Sequence, residues 1–139
     1  MKSDRFKPQS GHLVRVQVPQ SALQAVLDAI YAVDPLGWGD YDHVSFASAT
    51  GEQRFRGLGT GRNAATDGVL TVYCTELSFF VGGDVVPVVE AIYSAHPYEE
   101  PVIFVQPVTR CTHVAGQDED NPNRIWNRTE PPDWLKPEE

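Results

Sequence analysis

Val26-Leu27-Asp28-Ala29-Ile30-Tyr31 and Val88-Val89-Glu90-Ala91-Ile92-Tyr93 are two copies of one pattern, and four residues beyond each Tyr stands a proline, Pro35 and Pro97. Leu23, Val26, Leu27, Ile30 and Tyr31 recur at helical spacing, as do Val85, Val88, Val89 and Ile92. Each set predicts a helix with one apolar face. Asp34-Pro35 and Gly37 stop the first helix. Pro97 stops the second, because the residue before a proline is pushed out of the α region. Ser21 and Gln24 predict a capping box at the first helix. Asp84 predicts an N-cap at the second, with Pro87 in a first turn that tolerates a missing N–H.

Working outward, β-prone runs flank both helices. Leu13 to Val18 alternates apolar and polar residues and ends at Pro19. Val69 to Val81 is long, aromatic and β-branched, and is broken by Gly82-Gly83. Val102 to Val108 predicts a final strand. His43 to Ala49 and Gln53 to Leu58 predict a strand and its return, with Thr50-Gly51-Glu52 as the turn between them. The segment from Gly57 to Gly68, rich in Gly, Asn and Asp, is a loop. A strand before and after each helix, twice over, predicts an α+β fold, a ferredoxin-like βαββαβ sandwich. Its antiparallel sheet carries both helices on one face. Residues 1–11 read as a flexible arm, 12–110 as the domain, and 111–139 as an acidic, Pro-rich extension. In that extension Pro131, Pro132 and Pro137 prevent long regular structure, and Ile125, Trp126, Trp134 and Leu135 can pin parts of it to the body.

The chain has 139 residues, 41% of them hydrophobic, enough for one domain with a core. Its formal net charge of -8 disfavours nucleic acid and anionic membrane surfaces, which need a basic face. It leaves cations and basic partners open. Cys74 and Cys111 make no disulfide framework and no CxxC zinc spacing. The start lacks a signal-peptide pattern, and no stretch approaches the roughly 18 apolar residues of a membrane span. The expectation is a soluble, cytoplasmic protein.

Chemistry concentrates in three stretches. Ala95-His96-Pro97-Tyr98-Glu99-Glu100-Pro101 places an imidazole, a phenol and two carboxylates between prolines. His96 sits at a helix C-terminus, where a donor or an imidazolium satisfies free carbonyls. It can instead be a metal ligand or an interface imidazole. If Glu99 and Glu100 lie in a strand they point to opposite faces, so only one can join His96. Gly37-Trp38-Gly39-Asp40-Tyr41-Asp42-His43 offers Asp40, Asp42 and His43 as a cation site, although such residues are also ordinary turn formers. Gly57-Leu58-Gly59-Thr60-Gly61-Arg62-Asn63 lacks the Lys-Ser/Thr of a P-loop and the context of a dinucleotide fingerprint. It reads as a mobile hairpin tip, with anion contact through backbone N–H groups and Arg62 as the lesser alternative.

Three motifs together resemble a known family. Gly39-Asp40-Tyr41-Asp42 with Val44-Ser45-Phe46, Phe55-Arg56-Gly57-Leu58, and Ala95 to Pro101 are similar to the motifs of the YqfO-type domain. That domain occurs as an insert in NGG-interacting-factor-like dinuclear metal proteins. The last motif matches throughout. Asp40 stands for the family's Asn, Val44 for Cys and Gly57 for Pro. The resemblance spans about residues 12–108. It implies a PII/CutA-like fold and a homotrimer that binds a small molecule or divalent metal cation in clefts between subunits. The metal-binding body of the larger proteins is not in this sequence.

The site expectation is therefore Tyr41, Asp42, Arg62, His96, Tyr98 and Glu99, with His96 and Glu99 as metal ligands and no catalytic residue. One alternative is a metal-dependent hydrolase-type enzyme using His96 and Glu99 as acid and base. Another is a pure assembly module with AHPYEEP buried at the subunit contact.

Overall fold

The computed structural model of the chain describes residues 1–130, 132 and 134. Pro131, Leu135 and Pro137 lie outside the described residues. In chain order the regular elements are strand β1 (Phe6–Val18), helix α1 (Leu23–Tyr31), strands β2 (Phe46–Ala47), β3 (Gly51–Phe55) and β4 (Leu70–Val81), helix α2 (Val86–Ala95) and strand β5 (Ile103–His113). One compact unit is Gln9–Arg110. A second comprises Met1–Pro8 and the described residues from Cys111 onward. β1 and β5 contribute residues to both.

The sheet order is β2-β4-β1-β5, with β3 also paired to β4. β1 and β4 are antiparallel in a register running from His12↔Val81 to Val18↔Thr75. Both β2 and β3 run antiparallel to β4: Ala47 faces Leu77, and Gly51 faces Cys74. Between these pairs, residues 48–50 stand opposite only Thr75 and Glu76. The extra residue makes a bulge, not the turn expected at Thr50-Gly51-Glu52. Ser48 explains why the chain continues. Its N–H donates to the Glu76 carbonyl at 2.9 Å, and its hydroxyl accepts the Glu76 N–H at 2.9 Å. β2 and β3 are thus one strand interrupted once, and the topology is the ferredoxin-like βαββαβ.

The internal repeat is visible in the core. Val26 and Ile30 of α1 and their counterparts Val88 and Ile92 of α2 are all buried, packed on Val14, Val16, Val18, Leu77, Phe79 and Val81 of the sheet. Each such side chain contributes about 1.5–3 kcal/mol on burial. Helix entry differs between the copies. The Ser21 capping box does not form. A 3-10 turn over Gln20–Ala22 satisfies the backbone through Ala22 N–H to Pro19 O, and Gln24 bonds Asp28 instead. At α2, Asp84 Oδ1 does accept the Val86 N–H, at 3.0 Å.

The opposite sheet face carries no helix. There Phe46 is 68% exposed, Phe104 48%, Leu70 45% and Phe55 44%. The Arg15 guanidinium lies over the Phe104 ring.

In the second unit, residues 6–8 are strand rather than arm, and β1 as a whole begins well before Leu13. Val114 N–H bonds Arg5 O, and the Thr112 hydroxyl bonds Lys7 O, so polar residues there still satisfy their backbone. The extension folds on itself around Asp118, which pairs with Arg5 at 2.9 Å and Arg124 at 2.8 Å. Trp126 and Asn127 both donate to the Glu119 carbonyl.

Candidate functional site

α2 ends with His96 N–H donating to Ile92 O, after which His96 turns extended ahead of Pro97. The side chain is buried, 7% exposed. Its Nδ1 lies 3.1 Å from the Tyr98 backbone nitrogen and its Nε2 lies 2.8 Å from the Gln17 carbonyl oxygen. A backbone N–H only donates, so Nδ1 is the acceptor and the proton is on Nε2. The ring is neutral and fastens the helix end to β1. This corrects the expected cap: the proton goes to a strand carbonyl, not to the last carbonyls of α2. Both nitrogens are engaged, so His96 as placed offers a metal no lone pair.

Tyr98 is half-buried, its ring 4.7 Å from that of His96. Burial pushes its phenol up, and the neighbouring Cys74 adds to the shift. Cys74 is itself buried, which raises its thiol, and Glu76 raises it further. Glu99 and Glu100 are exposed and precede β5, so strand alternation does not separate them. Glu99 Oε2 accepts the Arg62 backbone N–H at 3.4 Å, beside Gly61, where a Cβ would come within 3.5 Å of that oxygen. Glu99 and Arg62 are therefore brought together, but through the backbone. The loop neck is closed by Thr66, whose N–H bonds Gly57 O and whose hydroxyl accepts the Gly57 N–H.

The other dense stretch is a tight turn. Trp38 and Tyr41 exchange backbone bonds, His43 N–H bonds Pro35 O, and Val44 N–H bonds Leu36 O. Leu36 (φ 51°), Gly39 (φ 60°) and His43 (φ 57°) are left-handed. For Leu36 that conformation is costly. Its complete burial and its N–H bond to Asp34 Oδ1 hold it there. His43 pairs with Asp42 at 2.9 Å, and its ring lies tilted against that of Tyr31 with centres 4.1 Å apart. Tyr41 is 71% exposed.

Sequence reasoning missed Arg110. Its guanidinium lies 4.7 Å from the Trp38 ring centre and 3.9 Å from that of Phe80. It donates to Gly37 O and twice to Gln9 Oε1. Burial lowers its pKa, opposed by Asp34. The one signal was a Trp between glycines, which needs something to hold it.

Among the described residues, no hydrogen bond or ion pair joins Tyr41 or Asp42 to His96, Tyr98 or Glu99. Nor do three His, Cys, Asp or Glu side chains converge as a metal site among them. The foreseen residues form two clusters, one around His96 and one around Trp38.

No protein-family model matches the chain, and no curated protein does. Solved structures are similar to it. A Bacillus cereus protein related to NIF3 superposes with a TM-score of 0.63 at 23% identity, over 78% of this chain and 28% of that one. Staphylococcus aureus SA1388 gives 0.46 at 17% identity, over 77% and 25%. Bacillus subtilis GlnK gives 0.48 at 10% identity, over 72% and 86%. The chain thus spans less than a third of the NIF3-related protein, and the likeness to it is one of fold.

Proposed function

We propose that the chain is a non-catalytic binding module that assembles with copies of itself and takes a small ligand or divalent cation between subunits. The observation that carries this reading is the uncovered sheet face. Soluble monomers rarely leave large apolar patches open, and Phe46, Phe55, Leu70 and Phe104 are all exposed there. Three copies is the number that the motif resemblance implies. Tyr41, Asp42 and Glu99 present free surface to a ligand, while His96 and Tyr98 hold the frame behind Glu99. The two cysteines are unpaired, which fits a reducing, cytoplasmic setting.

A hydrolase using His96 and Glu99 has less support, because His96 spends both nitrogens on the backbone. Among the described residues no helix is long and apolar enough to cross a membrane.

The test pairs sedimentation velocity with calorimetric titration of divalent cations and small anions. A trimer that gives a saturable heat, lost in Asp42→Ala or Glu99→Ala, supports the reading. A monomer at all concentrations sinks the assembly, and a trimer silent to every ligand sinks the binding.

A further inference from the structure

The second unit gathers side chains that the proposed function does not use. β5 ends in Cys111-Thr112-His113. Alternate residues of a strand share a face, so Cys111 and His113 stand on one side and Thr112 on the other. Burial follows that alternation: Cys111 and His113 are exposed, and Thr112 is half-buried. The chain ahead of β1 doubles back onto these residues. The Ser3 hydroxyl accepts the Arg5 N–H at 3.1 Å, and Asp118 holds the Arg5 guanidinium at 2.9 Å. The bend at Ser3 brings Met1 to Cys111, with Sδ 3.6 Å from Sγ. Met1 is the chain's single methionine and is 72% exposed, so this contact is not the gap-filling that methionine performs in cores.

A thiol, a thioether and an imidazole are thus brought to one spot on the surface. None is spent elsewhere. Cys111 is in no disulfide, and among the described residues His113 is in no ion pair. No carboxylate completes a trio with Cys111 and His113 among them. The spacing of the sulfurs suits chelation. A metal about 2.3 Å from each, an ordinary metal–sulfur length, subtends about 100° between sulfurs 3.6 Å apart. That angle is close to tetrahedral, so the pair can close on an ion without moving the backbone.

We infer that Met1, Cys111 and His113 form a site for a soft monovalent metal ion, of which Cu(I) is the biological example. The thioether decides the class. Zinc takes thiolate, imidazole and carboxylate, hard cations take oxygen, and a thiolate with a thioether selects Cu(I). Binding exchanges one charge for another: the Cys111 thiol gives its proton to water, the sulfur takes the ion, and the site stays neutral. In Met1–Pro8, Lys2, Arg5 and Lys7 outnumber Asp4, so a divalent ion meets more repulsion there than a monovalent one. The site lies wholly in the second unit and shares no residue with the ligand reading above, so either can fail alone.

The test uses the full chain labelled with 13C at the methionine methyl, where one signal reports on the Met1 thioether. Ag(I) is the redox-inert probe, and Cu(I) in oxygen-free buffer repeats the titration. Either ion should shift the methyl signal and saturate at an equimolar ratio. Zn(II) at the same concentration should leave the signal in place. In competition with a Cu(I) chelator, Cys111→Ser and His113→Ala should each bind about tenfold or more weakly, since even the groups that orient a metal ligand are worth about 10–100-fold. Both positions are exposed, so the fold is unaffected. Cys74→Val should bind as the unaltered chain does, because Cys74 is buried. Metal uptake with the Met1 signal unmoved is a thiol acting alone and overturns the site. So does an affinity unchanged in Cys111→Ser or His113→Ala, or a Zn(II) shift as large as that from Ag(I).

Discussion

Replacing His96 with Ala separates a structural imidazole from a ligand-binding one. The substitution strands two backbone groups, the Gln17 carbonyl and the Tyr98 N–H, which the ring now satisfies at 2.8 Å and 3.1 Å. Each stranded buried group costs about 1–3 kcal/mol. Loss of the ring that packs 4.7 Å from Tyr98 adds a cavity term. One of the groups, the Gln17 carbonyl, keeps a second lone pair, so the total falls at about 2–4 kcal/mol. With a urea m-value of about 2 kcal/mol per molar, the midpoint drops by about 1–2 M at unchanged slope. The measurement is made at one fixed chain concentration, because the proposed assembly would add to apparent stability. The unaltered protein should also show the Nε2–H tautomer in long-range 15N–1H spectra. A loss under about 0.5 kcal/mol, or an Nδ1–H tautomer, would refute the reasoning and return His96 to the list of ligand residues.

Other expectations follow from the same geometry. Iodoacetamide at neutral pH should modify exposed Cys111 and spare buried Cys74; equal labelling of both would contradict the packing. The native Cys74 keeps its proton to higher pH than the unfolded chain does. Its contribution to stability is therefore complete below the unfolded thiol value of about 8.5 and is lost as pH rises above it. A Cys74→Val variant should flatten that alkaline decline. Arg110→Ala should cost about 1–3 kcal/mol through lost stacking and stranded acceptors. It should also shift the Trp38 side-chain resonance. Arg110→Lys should recover little, since an ammonium cannot stack and bond in one plane, and full rescue by Lys would discard the account. Asp118→Asn removes the charge shared by Arg5 and Arg124, so trypsin should cut faster after Arg124 and Arg128. Unchanged cleavage would mean the pairing does not order the extension.

Much of the architecture was legible in advance because it depends on neighbours along the chain. The repeated Val-x-x-x-Ile spacing determined which face of each helix is buried, and Val26, Ile30, Val88 and Ile92 are all in the core. Pro35 and Pro97 marked the helix exits. The motif resemblance pointed to the same fold. The start of β1 was less legible, since Lys7, Gln9 and Ser10 look like an arm in sequence, whereas the strand begins at Phe6.

What the tertiary structure alone decided are the contacts made across long separations. Thr50-Gly51-Glu52 reads as a turn in the sequence; in the fold the chain continues through a bulge there, because Ser48 replaces a ladder bond to Glu76. His96 is a helix-end histidine in sequence, and its role follows from Gln17, 79 residues away. Arg110 meets Gln9 across 101 residues. The sequence by itself determined what each segment must bury, because apolar periodicity is local. Which donor meets which acceptor had to await the meeting of the segments, because a polar side chain has many possible partners until the fold brings one within reach.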